Sequence, residues 1–196
     1  MVTAPAPARP PTAVRVTPSA VLLTLAGVLF VVYPVVRPQG DATSAGAAAA
    51  FSSPAWVVAH LAAVAGFVLV GLAMRSFGRA AEITWWVGAG LVLPYYGAEV
   101  FALHVLGQRM AGEQLMEVAE AVRLGPAAAV VFVAGLVALA VAGVLVAVRK
   151  GAAGVPFAIA MVGFLPQFFA DPEIRIAHGV LLGIGLVLLA RRTLRR

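Results

Sequence analysis

Four ionisable side chains lie inside long apolar stretches of the sequence, and their types suit haem or metal chemistry. They are His60, Glu99, His104 and His178. Neutral imidazole is the commonest metal ligand in proteins, and two imidazoles on facing helices can bind a haem iron axially. Three imidazoles with a carboxylate also have the composition of an open catalytic zinc site. The sequence therefore predicts haem b or a divalent metal as a cofactor.

The spacing of these residues separates two kinds of site. His60 and His178 each follow a proline by six residues and precede glycines that would let a flat macrocycle approach, so they are the predicted haem ligands. A non-haem metal would take His60, His104, His178 and Glu99 together. Glu99 and His104 are five residues apart, about 140° around a helix, and therefore point into neighbouring grooves unless Pro94 distorts the helix. The alternative for all three histidines is a hydrogen bond to backbone or to lipid headgroups.

Glu99 is the only carboxylate inside an apolar stretch, and it is the candidate acid/base. A carboxylate is costly in an apolar medium unless it has a cationic or hydrogen-bonding partner. We expect that partner to be His60, His104 or Tyr96. Such a group can also exchange protons without any metal. The second predicted function is therefore a small transporter or a proton-coupled ligand-binding protein that uses Glu99.

The composition indicates that these residues sit in a lipid bilayer. Of 196 residues, 62% are hydrophobic and 11% are charged, whereas soluble domains carry about a quarter charged residues. The net charge is +6, but the basic residues lie at the ends of apolar runs, which argues against nucleic-acid binding. Cysteine is absent, which excludes disulfides and thiolate metal sites.

Six apolar segments predict an all-α, polytopic helical bundle of about six transmembrane helices. The predicted spans are 18–36, 54–74, 83–107, 126–148, 155–170 and 174–190. A helix needs about 20 residues to cross the hydrocarbon core, which the first four spans satisfy. The last two are short, and they form either a tight hairpin of tilted spans or a re-entrant pair. The predicted domains are a disordered cytosolic tail over 1–17, the bundle over 18–190 and a basic cytosolic tail over 191–196.

The distribution of arginine and lysine predicts the orientation. With the N-terminus inside, ten basic residues fall in cytosolic segments and four fall outside. Because positively charged loops stay in the cytosol, both termini are predicted to be cytosolic in the cell membrane. In the competing interpretation, the first span is a signal peptide that is cleaved near 43–47. Its 19 residues exceed the usual length of about 7–15 for the apolar core of a signal peptide.

The segment 108–125 predicts a short helix on the outer surface. Three glutamates repeat on one face, at Glu113, Glu117 and Glu120, and apolar residues occupy another. The acidic face is either simply solvated or a funnel that attracts cations to the site. Trp56, Trp85 and Trp86 lie near the ends of predicted spans, so we expect them to be interfacial anchors.

Three functions remain open at this point. The first is haem or metal binding for electron transfer or a membrane-embedded reaction. The second is the Glu99-dependent transporter or ligand-binding protein. The third is a non-catalytic subunit or scaffold with a membrane-protein partner or a second copy of the chain. Nucleotide-binding, zincin and serine-hydrolase motifs are absent from the sequence.

Overall fold

The computed structural model describes residues 15–194, which are helical and contain no strand. The helices are α1 Pro18–Val36, α2 Ala47–Ser52, α3 Pro54–Met74, α4 Arg79–Gly97, α5 His104–Arg109, α6 Gly112–Leu124, α7 Pro126–Lys150, α8 Val155–Val162, α9 Phe164–Gln167 and α10 Pro172–Thr193. Five helical stretches in this part of the chain are long and apolar enough to cross a membrane. They are Pro18–Val36, Pro54–Phe77, Arg79–Arg109, Pro126–Ala153 and Pro172–Thr193.

Local sequence signals determine where the long helices begin. The Thr17 side chain caps α1 by accepting from the Ala20 N–H, and the Ser53 side chain caps α3 by accepting from the Trp56 N–H. A proline follows each cap, where its missing N–H costs no helical hydrogen bond. These two helices begin and end at the residues predicted from the sequence.

Small residues bring the long helices close together. A Cβ atom added at Gly27 of α1 would lie 3.2 Å from the carbonyl oxygen of Gly183 in α10. One added at Gly88 of α4 would lie 2.9 Å from the carbonyl oxygen of Gly135 in α7. Close backbone approach of this kind is the usual basis of helix association in membranes. α1 also packs on α3, so it is an integral part of the bundle.

The predicted fifth span is a broken helix. α8 ends at Val162, and α9 begins at Phe164 after Gly163. Pro166 has no N–H to donate to the Val162 carbonyl, and glycine is a weak helix former, so the helix cannot continue smoothly here. The next helix is longer than predicted, because α10 covers 22 residues. Residues 15–194 thus contain five long helices and one broken segment, and of the two spans expected to be short only the fifth is.

The broken segment runs antiparallel beside α7. Cβ positions on Gly154 and Gly143 would lie 2.7 Å from Ala147 and 2.8 Å from Met161 respectively. Farther along, the Phe168 ring lies 5.2 Å from that of Phe132. As the residue number rises along the segment, the residue number of its α7 neighbour falls. The pairs cover α7 from 147 to 132, about 22 Å at 1.5 Å per residue.

A layer of short helices closes one end of the bundle, which we call the capped end. It consists of α2, α5 and α6, and a second apolar core forms there around Phe51 of α2, Leu115 of α6 and Leu103, which immediately precedes α5. The helix predicted within 108–125 is confirmed as α6, and its three glutamates are exposed. We call the opposite end, where α7 and α10 finish in basic residues, the basic end.

Parts of the predicted tails lie outside the described residues. Of the tail over 1–17, only Arg15, Val16 and Thr17 are described. The basic tail over 191–196 is described as far as Leu194. Arg9, Arg195 and Arg196, which contribute to the predicted orientation, also fall outside.

Candidate functional site

A buried ion pair between Glu99 and Arg123 lies at the capped end. Arg123 Nε donates to Glu99 Oε1 at 2.9 Å, and a terminal guanidinium nitrogen donates to Oε2 at 3.1 Å. The two side chains are 16% and 4% exposed. This two-pronged geometry is the strongest form of a charged hydrogen bond in proteins. Because the pair is shielded from water, removing either member leaves a buried charge without its partner.

Arg123 reaches Glu99 because it lies on the inner face of α6. Leu115 and Ala119 are the buried residues of this helix, and Arg123 follows Ala119 by four positions. Residues four apart lie on the same helical face, so the guanidinium points under the helix and into the bundle. This spacing was visible in the sequence. It does not by itself predict a buried partner, because an arginine in a polar loop segment is ordinarily solvated.

A second ion pair adjoins the first. Arg37 donates to Asp41 at 2.6 Å, and Arg123 also approaches the same Asp41 oxygen at 3.4 Å. Asp41 is 7% exposed, although it lies in the loop between α1 and α2. Two arginines and two carboxylates therefore share one region with a formal charge of zero. Sequence reasoning missed Asp41 and Arg37 as well, because both lie outside the apolar spans.

Burial and the neighbouring carboxylates act in opposite directions on both arginines. Burial by itself lowers the pKa of Arg123, but the charge and hydrogen bond of Glu99, together with Tyr95 and Asp41, hold this pKa above its usual value. Burial also lowers the pKa of Arg37, and the charge of Asp41 is among the interactions that raise it above the usual value. Both guanidinium groups therefore remain charged, and the carboxylates face full positive charges.

Aromatic rings form the walls around the two guanidinium groups. Arg123 Cζ lies 4.9 Å from the centroid of the Phe51 ring and 5.7 Å from that of Trp56. Arg37 Cζ lies 4.9 Å from the Trp56 ring. Cations are attracted to ring faces at these distances. The Arg123 head group is thus surrounded by two carboxylates and two aromatic rings. We call this site the cation cage, and it is defined by Phe51, Trp56, Glu99 and Asp41.

The expectation that the tryptophans anchor the protein at the membrane interface is wrong for two of the three. Trp56 is fully buried, and its Nε1–H donates to the Glu99 carbonyl oxygen at 2.7 Å. Trp85 is also fully buried and donates to the Phe67 carbonyl at 3.0 Å. Both indoles turn inward because each finds an acceptor inside the bundle. Trp86 remains exposed.

His60 lies near Glu99, but the hydrogen-bonding partner of the carboxylate is Arg123 and not His60, His104 or Tyr96 as expected from the sequence. The His60 Nδ1 is 2.7 Å from the Trp56 carbonyl oxygen, and its Nε2 is 3.8 Å from Glu99 Oε2. A carbonyl oxygen only accepts, so Nδ1 carries a hydrogen and Nε2 is left facing the carboxylate. The ring is 1% exposed and stands against the Trp56 indole. His60 and Tyr95 are thus the neutral polar side chains that border Glu99 inside the bundle.

A widened helical turn positions Glu99. Residues Ala98–Leu103 form a π-helical turn between α4 and α5, four residues after Pro94. Such turns insert an extra residue into a helix and occur frequently at functional sites. Glu99 lies within this turn and His104 directly follows it, and the two side chains contact different partners. The sequence indicated a distortion near Pro94, but it could not indicate which way Glu99 would turn.

The other two histidines hold backbone carbonyls. His104 Nδ1 donates to the Phe51 carbonyl at 2.8 Å, and its Nε2 accepts from the Gln108 amide at 2.9 Å. His178 Nε2 donates to the Ala160 carbonyl at 2.8 Å, in the last turn of α8 before the break. Carbonyls near a helix end lack intrahelical partners, so His178 satisfies a group that the break exposes. Both histidines therefore make the backbone hydrogen bonds that the sequence offers as the alternative to metal or haem ligation.

The structure does not bring the four predicted metal ligands together. Glu99 and His60 are close, whereas His104 and His178 each bind elsewhere. Within residues 15–194, no group of three or more His, Asp or Glu side chains is arranged to hold a metal ion. The predicted haem ligands His60 and His178 are not arranged to bind one iron either, because His178 Nε2 is occupied by its hydrogen bond to the Ala160 carbonyl. The cleft beside His178 has a volume of about 10 Å³, room for roughly one water molecule.

Comparisons with known proteins give no relative. No family model matches the chain, and no curated protein or solved structure matches it significantly. The function must therefore be inferred from the chemistry of the cation cage.

Proposed function

We propose that the protein is a multi-pass cell-membrane protein that binds a small organic cation at its outer face, in competition with its own Arg123. The ligand class is a guanidinium or ammonium compound. This is the Glu99-dependent ligand-binding alternative of the sequence analysis, now with a ligand chemistry. The observation that carries it is the bidentate Arg123–Glu99 pair enclosed by aromatic faces.

The weak attachment of α6 to the bundle supports the idea that Arg123 can leave the cation cage. Only Leu115 and Ala119 of this helix are buried, and the helix is bounded by Gly112 and Gly125. Gly112 has φ of 66°, a conformation that favours glycine. Helices held by few buried side chains between flexible ends are the ones that open locally. α6 can therefore lift as a lid and withdraw the Arg123 guanidinium from the cage.

Withdrawal of Arg123 leaves one carboxylate to recognise the ligand. Asp41 keeps its contact of 2.6 Å with Arg37. Glu99 then faces uncharged neighbours, among them Tyr95 and the His60 ring at 3.8 Å. An incoming guanidinium would restore the two-pronged hydrogen bond to Glu99 and the contacts with the aromatic rings. The exposed glutamates of α6 would raise the local concentration of cations at the entrance.

The topology in this proposal has six crossings with both termini in the cytosol. The broken α8–α9 segment provides the fifth crossing. Its antiparallel course along about 22 Å of α7 supports a full crossing over a shallow re-entrant loop. The excess of basic residues at the opposite end supports the placement of the capped end outside.

Binding of radiolabelled methylguanidinium to purified protein tests this function. Wild-type protein should show saturable binding, and Glu99→Gln should bind about tenfold or more weakly because it loses the charge but keeps the shape. Arg109→Gln, which removes an exposed arginine at the same end, should bind like wild type. Absence of saturable binding to wild type, or equal binding by the folded Glu99→Gln variant, would overturn the proposal.

A further inference from the structure

A polar cleft lies at the basic end, remote from the cation cage. It has a volume of about 580 Å³, and its charged lining residues are Arg15, Lys150 and Arg192. Hydroxyl groups complete the wall, including the Ser19–Ser76 pair at 2.7 Å. The cleft therefore combines three cations with hydrogen-bonding hydroxyls at the place where α1, α7 and α10 meet the membrane surface.

The charges in this cleft are not balanced by carboxylates. No aspartate or glutamate is among its lining residues in the part of the chain that the structure describes. Over the same part, none of the ion pairs involves Arg15, Lys150 or Arg192. Lys150 Nζ instead lies 5.4 Å from the Phe77 ring. A cleft with this charge and these donors suits a phosphate group.

An apolar groove continues from the polar cleft along the outside of α1 and α10. Val16 lines both the cleft and the first part of the groove, and Val187 and Arg191 line both parts of the groove. The second part has a volume of about 650 Å³ and ends near Val32. From Ala20 to Val32, twelve residues along α1 correspond to about 18 Å.

The groove is an open furrow in which α1 and α10 meet at two glycines. Gly27 and Gly183 pack backbone to backbone, which brings α1 and α10 together without side chains between them. The walls are formed by exposed aliphatic side chains such as Val28, Val180 and Ile184. An open, mostly apolar groove of this length suits an extended hydrocarbon chain.

We infer that the protein binds one anionic phospholipid of the cytosolic leaflet at this place. The phosphate lies in the basic cleft between Lys150 and Arg192, and one acyl chain follows the α1–α10 groove. The continuity of the groove with a cationic cleft at the membrane surface selects a lipid over a second copy of this chain. A helix from another copy would fill the groove, but it would leave the three cations without a partner.

Native mass spectrometry of the protein with defined lipids tests the inference. The probes are phosphatidylglycerol and phosphatidylcholine with identical acyl chains. Wild-type protein should retain one phosphatidylglycerol in preference to phosphatidylcholine. The double variant Lys150→Gln/Arg192→Gln should bind phosphatidylglycerol about 30-fold more weakly, since each basic residue near an anionic lipid contributes roughly a factor of five.

Two further variants separate the head-group cleft from the groove. Ile184→Trp fills the groove from an exposed position and should weaken binding of both lipids. Arg79→Gln removes an exposed arginine at the basic end that does not line the cleft, and it should bind like wild type. The inference is overturned if wild type shows no anionic preference, if the preference survives in the folded double variant, or if a dimer forms through the groove.

Discussion

Among individual side chains, the Glu99–Arg123 pair has the largest consequences for stability and for binding. Desolvating two charges is expensive, and mutual attraction offsets this cost only when geometry and hydrogen bonding are good. Here the geometry is bidentate, Trp56 holds the backbone of Glu99, and Asp41 gives Arg123 a second acceptor. The pair should therefore be strongly coupled.

A double-mutant cycle with Glu99→Gln and Arg123→Gln measures that coupling. Each single variant should lose about 3 kcal/mol of unfolding free energy, because its partner stays buried and unpaired. The double variant should lose less than the sum, with a coupling energy of about 1.5 kcal/mol or more. The readout is reversible unfolding in mixed micelles. Additive losses would mean that the two charges do not interact. Arg109→Gln and Glu117→Gln, which change two exposed residues with no ion pair between them, provide the additive control.

Glu99 can be recognised from the sequence as a candidate site residue, whereas its partner Arg123 cannot, and the reason is physical. A carboxylate inside an apolar run is conspicuous, because its environment can be read from its neighbours in sequence. Arg123 lies in a polar segment, where a charge needs no explanation. Only the four-residue spacing from Ala119 marks its inward direction. The histidines show the converse, since His104 and His178 looked functional by type but hold carbonyls whose need arises from the three-dimensional structure.

Among the helices, predictability depends on whether the boundary signals are local. α1 and α3 could be predicted residue by residue, because a capping side chain, an N-terminal proline and an apolar run define each of them. The break at Gly163 and the π-helical turn at Ala98–Leu103 have local signals in Pro166 and Pro94, but the form of each distortion could not be predicted. That form depends on tertiary partners: His178 satisfies a carbonyl near the break, and Trp56 binds a carbonyl within the turn.

Single-cysteine labelling tests whether the broken segment crosses the membrane. The chain has no cysteine, so Gln114→Cys, Ala152→Cys and Glu173→Cys each place one thiol at an exposed position. A membrane-impermeant maleimide added to intact cells should label the first and third variants but not the second. Permeabilised cells, in which all three should react, provide the control. Protection of the Glu173→Cys thiol would show that α8 and α9 do not cross.

The molecule as a whole places its two charged regions at opposite ends of an aromatic core. Phe67 lies in the middle of that core and contacts the rings of Phe30, Trp85, Tyr96 and Phe164. The cation cage at one end and the basic cleft at the other are thus separated by close-packed side chains. Composition and charge distribution predicted this polarity of the molecule. They could not predict that α6, at the capped end, places its Arg123 in the cation cage.

The affinity of the Arg123→Ala variant for methylguanidinium bears directly on the role of the lid. A tethered guanidinium competes with any free cation at a high effective concentration, so its removal should tighten binding. Titration calorimetry of folded Arg123→Ala should give a Kd about tenfold or more below that of wild type. The added ligand should also raise the unfolding midpoint of the variant. A Kd equal to or weaker than that of wild type would contradict the assignment of Arg123 as the built-in occupant of the cation cage.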